Sequence, residues 1–264
     1  MTRPLLLAVD VGNTNTVFAI YRDREPLGQW RISTVRDRTG DEYAAALSQL
    51  LALDGIDHRE VGDVVISSVV PPASFALKQM CAHIFDCTPK IVRENLGVGM
   101  PIAIDNPREV GADRLVNAVA ARRRYEGPLI VVDFGTATTF DIVDNSGRYC
   151  GGVIATGINL SLDALHRAAA KLPRIVVERP ERVIGSSTVT AMQSGVFFGY
   201  VSMIEGMVKR IREEFGEEMT VVATGGLGGL FAEATDSIDS YDRDLTMAGL
   251  VELFYADHPM TKND

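Results

Sequence analysis

The chain has 264 residues, 46% of them hydrophobic and 23% charged, with a formal net charge of −9 and a pI near 5. That length holds two domains of about 120 residues or one large one, and the acidic balance argues against general nucleic-acid binding, which needs a basic face to displace counterions. Three cysteines without a C-x-x-C spacing and four scattered histidines make no zinc site, and no apolar stretch is long enough for a membrane span, so a cytoplasmic protein with no nucleic-acid or membrane partner is expected.

The apolar run Leu5–Val9, then Asp10-Val11-Gly12-Asn13-Thr14-Asn15-Thr16, then Val17–Ile20 reads as strand, tight turn, strand. The run is too short for a secretory signal. Gly12 can take a positive φ and has no side chain, so a phosphate can approach the backbone amides of the tip, with Asn13, Thr14, Asn15 and Thr16 as further donors. Asp10 stands at the mouth, suited to a cation. By itself such a tip reads first as an ordinary turn. Residues 28–34 alternate as a third strand. Asp41 opens a helix with Tyr43, Leu47, Leu50 and Leu51 on one face. Asp63–Val70 is a buried strand ended by Pro71-Pro72, and a second helix turns Leu77, Met80, Cys81 and Ile84 inward before a short strand at 90–92. Antiparallel strands followed by strands alternating with helices predict a mixed sheet flanked by helices.

Residues 94–107 read as loop, and Pro107–Arg114 runs into a helix with Leu115, Val116, Val119 and Ala120 on its apolar side and Arg122-Arg123-Arg124 at its end, where cations suit the dipole. Asp113 and Arg114 fall on its first turn, where Asp113 could simply complement the dipole and Arg114 pair nearby. Glu126-Gly127-Pro128 then breaks the chain. The expected domains are 1–117 and 118–264, with the C-terminal helix able to pack back on the first. Leu129–Val143 lines up with Leu6–Ile20 at an offset of 123 positions, Asp10 to Asp133, class for class. A duplicated half-domain, each copy giving one phosphate-gripping hairpin to a shared cleft, accounts for this. Gly147 is a turn and Gly151–Gly157 a glycine-rich segment. Ser161 opens a helix with Leu162, Leu165, Ala169 and Leu172 inward, stopped by Pro173. A long helix after Thr188 carries Val189, Met192, Val196, Met203, Met207, Ile211 and Phe215 as its core stripe. The strand from Thr220 runs into Thr224-Gly225-Gly226, where a backbone without Cβ could lie against a purine or ribose. Thr246–Tyr255 is a closing helix, and the tail 259–264 is expected to fray.

Two Asp-x-Gly hairpins and a late Thr-Gly-Gly turn resemble the actin, sugar-kinase and Hsp70 superfamily. That resemblance implies an α/β fold of two duplicated actin-like (ribonuclease H-like) domains, each a mixed sheet flanked by helices, with Mg-ATP held in a cleft between them. Further motifs narrow the likeness: Pro107-x-x-x-Gly111-x-Asp113-Arg114, Asp133-Phe134-Gly135-Thr136-Ala137-Thr138-Thr139, Gly151-Gly152-x-Ile154 and Ala191-Met192-Gln193-Ser194-Gly195. In that order, over about residues 5 to 250, they resemble the type III pantothenate kinase family, which also contains proteins described as Bvg accessory factors.

The resemblance implies ATP-dependent phosphorylation of pantothenate to 4'-phosphopantothenate, the first step of coenzyme A biosynthesis. It puts Asp10, Val11, Gly12, Asn13, Thr14, Asn15, Thr16 and Val17 at the ATP phosphates, with Asp10 on the associated Mg2+, and Thr136 at ATP, where Gly225 and Gly226 would join them. Gly111, Ala112, Asp113 and Arg114 would hold pantothenate, Asp113 taking the proton of its primary hydroxyl. Asp133 would bind K+ or NH4+, and Thr188 would reach pantothenate from the partner subunit of a homodimer. Thr156 stands where the family has proline, which puts loop stiffness rather than a reacting group in question. Neither hairpin carries Lys or Arg, so a monovalent cation would supply positive charge where such a clamp might otherwise sit. Two other readings stay open at this stage: another small-molecule kinase of the superfamily, and a non-enzymatic accessory or regulatory protein that keeps the fold. A filament-forming relative would have no use for Pro107–Arg114.

Overall fold

In the computed structural model of the chain, which describes residues 4–169 and 172–257, the first apolar run becomes β1 (Leu5–Val11), antiparallel to β2 (Asn15–Arg22), which pairs in turn with β3 (Glu25–Ser33). Helix α1 (Gly40–Leu53) starts at a capping box: the Glu42 amide donates to the Thr39 hydroxyl at 3.3 Å and the Thr39 amide to the Glu42 carboxylate at 2.8 Å. β4 (Val61–Ser68) runs parallel to β1. Pro71 and Pro72 open α2 (Pro71–Ile84), where no amide hydrogen is needed, and β5 (Lys90–Ile91) pairs parallel with β4. Then comes α3 (Ala112–Arg124).

The second half repeats the scheme. β6 (Leu129–Phe134), β7 (Ala137–Val143) and β8 (Tyr149–Thr156) form an antiparallel set, followed by α4 (Ile158–Ala168), α5 (Thr188–Phe215), β9 (Thr220–Gly225), α6 (Gly228–Ala232), β10 (Ser240–Tyr241) and α7 (Leu245–Asp257). The sheets have the orders β3-β2-β1-β4-β5 and β8-β7-β6-β9-β10, each with three antiparallel strands and two more added in parallel. One detail of the repeat needs correction. Val11 pairs with Thr16 in the first hairpin but Phe134 with Thr138 in the second, so the second tip is one residue shorter. Beyond it the offset falls to 122 positions, Phe18 to Phe140, and Thr139 faces Asp133 as Val17 faces Asp10. The gapless alignment holds only up to the tip.

The chain divides into two compact units. One runs to Met100, takes in Asn106–Ala120 and resumes at Leu245; the other holds Pro101–Asp105 and Ala121–Asp244. In the first, alternate residues of β1 feed opposite faces. Leu5, Leu7 and Val9 pack with Tyr43, Leu47 and Leu77 of α1 and α2, and Leu6 and Ala8 pack with Val116 of α3 and Met247 and Leu250 of α7. Burial on both faces is why β1 reads as one unbroken apolar run. In the second unit Ile130, Val132, Phe140 and Val221 meet Phe197, Ile204 and Val208 of α5.

Two helix readings are corrected there. Helix α4 begins at Ile158, capped by Gly157, rather than at Ser161. Only Ile158 reaches the core, Leu162 is half-buried, Leu165 is exposed, and Ala169 and Leu172 lie past the helix end. In α5 the fully buried row is Phe197, Ile204 and Val208, one position on from the expected Val196, Met203 and Met207, which are half-buried with Ile211 and Phe215; Met192 is buried and Val189 exposed. A one-residue step turns the stripe by about 100°, enough to move its centre off the core. No helix among the described residues is long and apolar enough to cross a membrane. The tail 259–264 lies outside the described residues.

Candidate active site

β1 and β4 end together, the Val69 amide donating to the Val11 carbonyl at 3.1 Å. The tip between β1 and β2 is closed by its own backbone, the Gly12 amide donating to the Asn15 carbonyl at 2.9 Å. Thr34 braces it: its hydroxyl donates to the Gly12 carbonyl at 2.8 Å, and its amide donates to the Thr14 carbonyl at 2.9 Å. The reason expected for Gly12 is therefore corrected. Its φ is not positive and its amide is not offered to phosphate; glycine suits the site because a Cβ would stand 3.3 Å from the Asn15 oxygen. Exposed Asn13, Thr14 and Asn15 offer side-chain donors, whereas Thr16 and Val17 are buried and belong to the turn's own packing. Half-buried Asp10 pairs across the sheet with Ser67, whose buried hydroxyl has no partner among the described residues.

The start of α3 lies at the same end of this sheet. A Cβ on Gly111 would stand 2.4 Å from Asp113 Oδ1 and 3.6 Å from Val69. The Asp113 carboxylate thus folds back over Gly111, and a side chain at 111 would push it aside. The Arg114 amide donates to Asp113 Oδ1 at 2.8 Å. Burial pushes the Asp113 carboxyl up from the ordinary carboxylate range, against the opposing pull of the Arg114 amide and charge. Ala112 is buried in the core with α7, so its part is packing. The first unit therefore gathers Asp10-Val11-Gly12 and Gly111-Ala112-Asp113 at one sheet end.

In the second unit β6 pairs Asp133 with Thr224 and Phe134 with Gly225. Gly225 has φ +89°, and a Cβ there would stand 2.6 Å from Asp133 Oδ1 and 2.7 Å from both Phe134 N and O. Glycine is thus required at 225 by the strand beside it. At Gly226 the space a Cβ would take is open. The oxygens at Asp133 are hard: its own carboxylate, set in the cradle a Cβ at Gly225 would fill, and the hydroxyls of its two cross-strand neighbours in register, Thr139 and Thr224. Such a set fits an alkali or ammonium cation better than a transition metal, and among the described residues no three His, Cys, Asp or Glu side chains gather.

Thr136 sits on the second tip, pressed by Gly157, where a Cβ would stand 2.1 Å from the Thr136 carbonyl oxygen. The loop that lacks proline at Thr156 is tied from α5: the Tyr200 hydroxyl donates to the Thr156 carbonyl at 2.8 Å and shares a hydrogen bond with the Ser161 hydroxyl at 2.7 Å. Tyr200 did not stand out in the sequence, since a tyrosine at helical spacing is ordinary. Tyr200→Phe is expected to raise the ATP KM about 3–10-fold, the worth of roughly one hydrogen bond, with little change in melting temperature; steady-state kinetics at saturating pantothenate check it. Exposed Thr188 follows the Ser187 cap of α5 and lines a cavity of about 590 Å3 with Leu165, Leu172, Met192, Val196 and Tyr200.

These features can be set against known proteins. The family model described as type III pantothenate kinase matches residues 6–210. A type III pantothenate kinase of Paramagnetospirillum magneticum is 58% identical over 250 residues, covering 94% of this chain and 96% of that protein. One of Rhodospirillum rubrum is 54% identical, covering 97% of this chain and 100% of that protein. Among solved structures, a Campylobacter jejuni protein described as a Baf family transcriptional activator superposes with a TM-score of 0.60 at 18% identity, covering 96% of this chain and 100% of that one. A Sinorhizobium meliloti protein described as a 2-dehydro-3-deoxygalactonokinase gives 0.56 at 14% identity over 98% of each chain. At those identities the structures speak for the actin-like kinase fold alone. With a family model spanning most of the chain, and relatives matched at more than half identity almost end to end, the chain belongs to the type III pantothenate kinase family.

Proposed function

We propose that the chain transfers the γ-phosphoryl group of ATP to the primary hydroxyl of pantothenate, giving ADP and 4'-phosphopantothenate, the first step of coenzyme A biosynthesis. The observation that carries the residue assignment is the Asp113 carboxylate folded over Gly111 at the sheet end that also bears the Asp10–Gly12 tip. In the reaction the hydroxyl oxygen bonds to the γ-phosphorus as the bond from that phosphorus to the β-bridging oxygen breaks. Asp113 accepts the hydroxyl proton and later passes it to water. The transition state is loose, so alignment and charge neutralisation are the protein's main tasks. Asn13, Thr14 and Asn15 would donate to phosphate oxygens from the first tip, and Thr136 from the second. Arg114 would meet the substrate carboxylate or a phosphate as a cationic contact. Asp10 would hold Mg2+ and Asp133 would hold K+ or NH4+, which together supply the positive charge that neither tip carries.

Homodimerisation belongs to the same reading. Leu160, Leu165, Val176, Val183, Ile184 and Val189 are large apolar side chains left exposed within residues 160–189, the stretch of sequence that also holds exposed Thr188, and a second copy of the chain would cover them. Three free cysteines suit the reducing cytoplasm. The test is ADP release in a coupled assay with pantothenate, with and without K+. Release that needs both is expected; a folded, ATP-binding protein that releases no ADP on adding pantothenate overturns the proposal. Light scattering that gives a monomer at micromolar concentration removes the dimer.

A further inference from the structure

Among the described residues three non-glycine residues have a positive φ: Asp23, Asp86 and Arg93, the last at +70°. Aspartate tolerates the left-handed region through its short polar side chain, but arginine gains nothing locally from it. The turn that holds Arg93 there is heavily tied. The Ile91 carbonyl accepts the amides of Glu94, Asn95 and Leu96 at 3.0, 3.1 and 3.1 Å, and the Arg93 amide donates to the Leu96 carbonyl at 2.8 Å. The Asn95 side chain accepts from the Ile91 amide at 2.6 Å, and the Val92 amide reaches the Ile66 carbonyl of β4 at 2.9 Å. From this anchored turn the guanidinium spans two carbonyls of another segment: Nη2 donates to Pro107 at 2.8 Å and Nη1 to Val110. Those carbonyls belong to the first residue of the 3-10 turn Pro107–Glu109 and to the residue just after it, immediately before Gly111.

We infer that Arg93 is a positioning residue for pantothenate, fixing residues 107–111 to the first sheet so that Gly111 and Asp113 keep their register. This rests on the reading of Gly111–Arg114 as the pantothenate site. The two-pronged planar guanidinium is what the task needs, because two carbonyls at the ends of a turn are fixed together by one rigid fork and only singly by an ammonium. A small displacement of Gly111 shifts the Asp113 carboxylate that leans on it, and reacting groups misplaced by about 1 Å lose up to about 100-fold.

The experiment separates strain from function through Arg93→Gly, Arg93→Ala and Arg93→Lys. Glycine takes the left-handed conformation without penalty. Arg93→Gly is therefore expected to melt at or above the parent temperature yet raise the pantothenate KM about 5–30-fold, with the ATP KM within about twofold. Arg93→Ala should show the same KM split, and Arg93→Lys an intermediate one. Amide exchange over residues 108–115 should quicken in Arg93→Gly. Unchanged pantothenate KM in both the Gly and Ala variants overturns the inference, as does an ATP KM that rises in step. If the parent shows no pantothenate-dependent turnover, the site reading itself has failed; exchange over 108–115 then decides the positioning alone, and parental rates in Arg93→Gly sink it.

Discussion

Asp113→Asn is expected to cut pantothenate-dependent turnover by about 10²–10⁴-fold, the range for a general base, while leaving the protein at least as stable as the parent near neutral pH. The first half rests on the base role; the second rests on burial, which raises this carboxyl from its ordinary value. A group whose folded pKa is raised binds its proton more tightly in the folded state. Its contribution to stability is then full below the unfolded pKa of about 3.9 and is lost as pH rises through the folded value. Desolvation penalises the parent's carboxylate once it is ionised, and asparagine of nearly the same shape removes that penalty. A stabilising change that abolishes activity is the trade-off expected of an active-site charge. The same direction predicts that the acid limb of kcat/KM for pantothenate lies above the usual aspartate range, since the base works only when ionised. Steady-state kinetics and melting curves from about pH 4 to 8 check both. Near-parental turnover would remove Asp113 from the base's role, and a large fall in melting temperature would make the carboxylate structural.

Much of this arrangement is written in local pattern, and the exceptions share a cause. The duplicated hairpin is visible because β1 and β6 are each buried on both faces, which forces unbroken apolar runs that end in Asp-x-Gly. The shorter second tip leaves no trace in residue classes, since Thr138 and Thr139 satisfy either register. Gly111 and Gly225 are readable as glycines that matter, but the reason for each lies across the fold: the Asp113 carboxylate crowds one and β6 crowds the other. Tyr200 and Arg93 act on Thr156 and on Pro107 and Val110, contacts far from any periodicity. The apolar side of α4 misleads for a different reason. Its leucines follow helical spacing, yet Leu165 is exposed, so amphipathicity identified the helix without identifying what covers it.

Gly225→Ala should be among the most damaging single-methyl changes in the second unit. The residue sits at φ +89°, where an L side chain costs about 1–2 kcal/mol. The added methyl also meets Phe134 N and O at 2.7 Å, within the β6–β9 ladder, and backbone there cannot yield without loosening the pairing. Together these put the loss at about 2–4 kcal/mol, or a fall of roughly 5–15 °C in melting temperature. The third contact, Asp133 Oδ1 at 2.6 Å, is a side chain that can swing away, so the molecules that do fold would carry a displaced carboxylate. If Asp133 holds the monovalent cation, the K+ concentration for half-maximal activity must then rise. Gly226→Ala is the control, because its methyl enters open space: the melting temperature should stay within about 2 °C, and a raised ATP KM would place the nucleotide against that turn. A Gly225→Ala protein that melts normally and keeps its K+ response would mean that β9 can shift relative to β6 without consequence, and Asp133 would lose its claim to the cation.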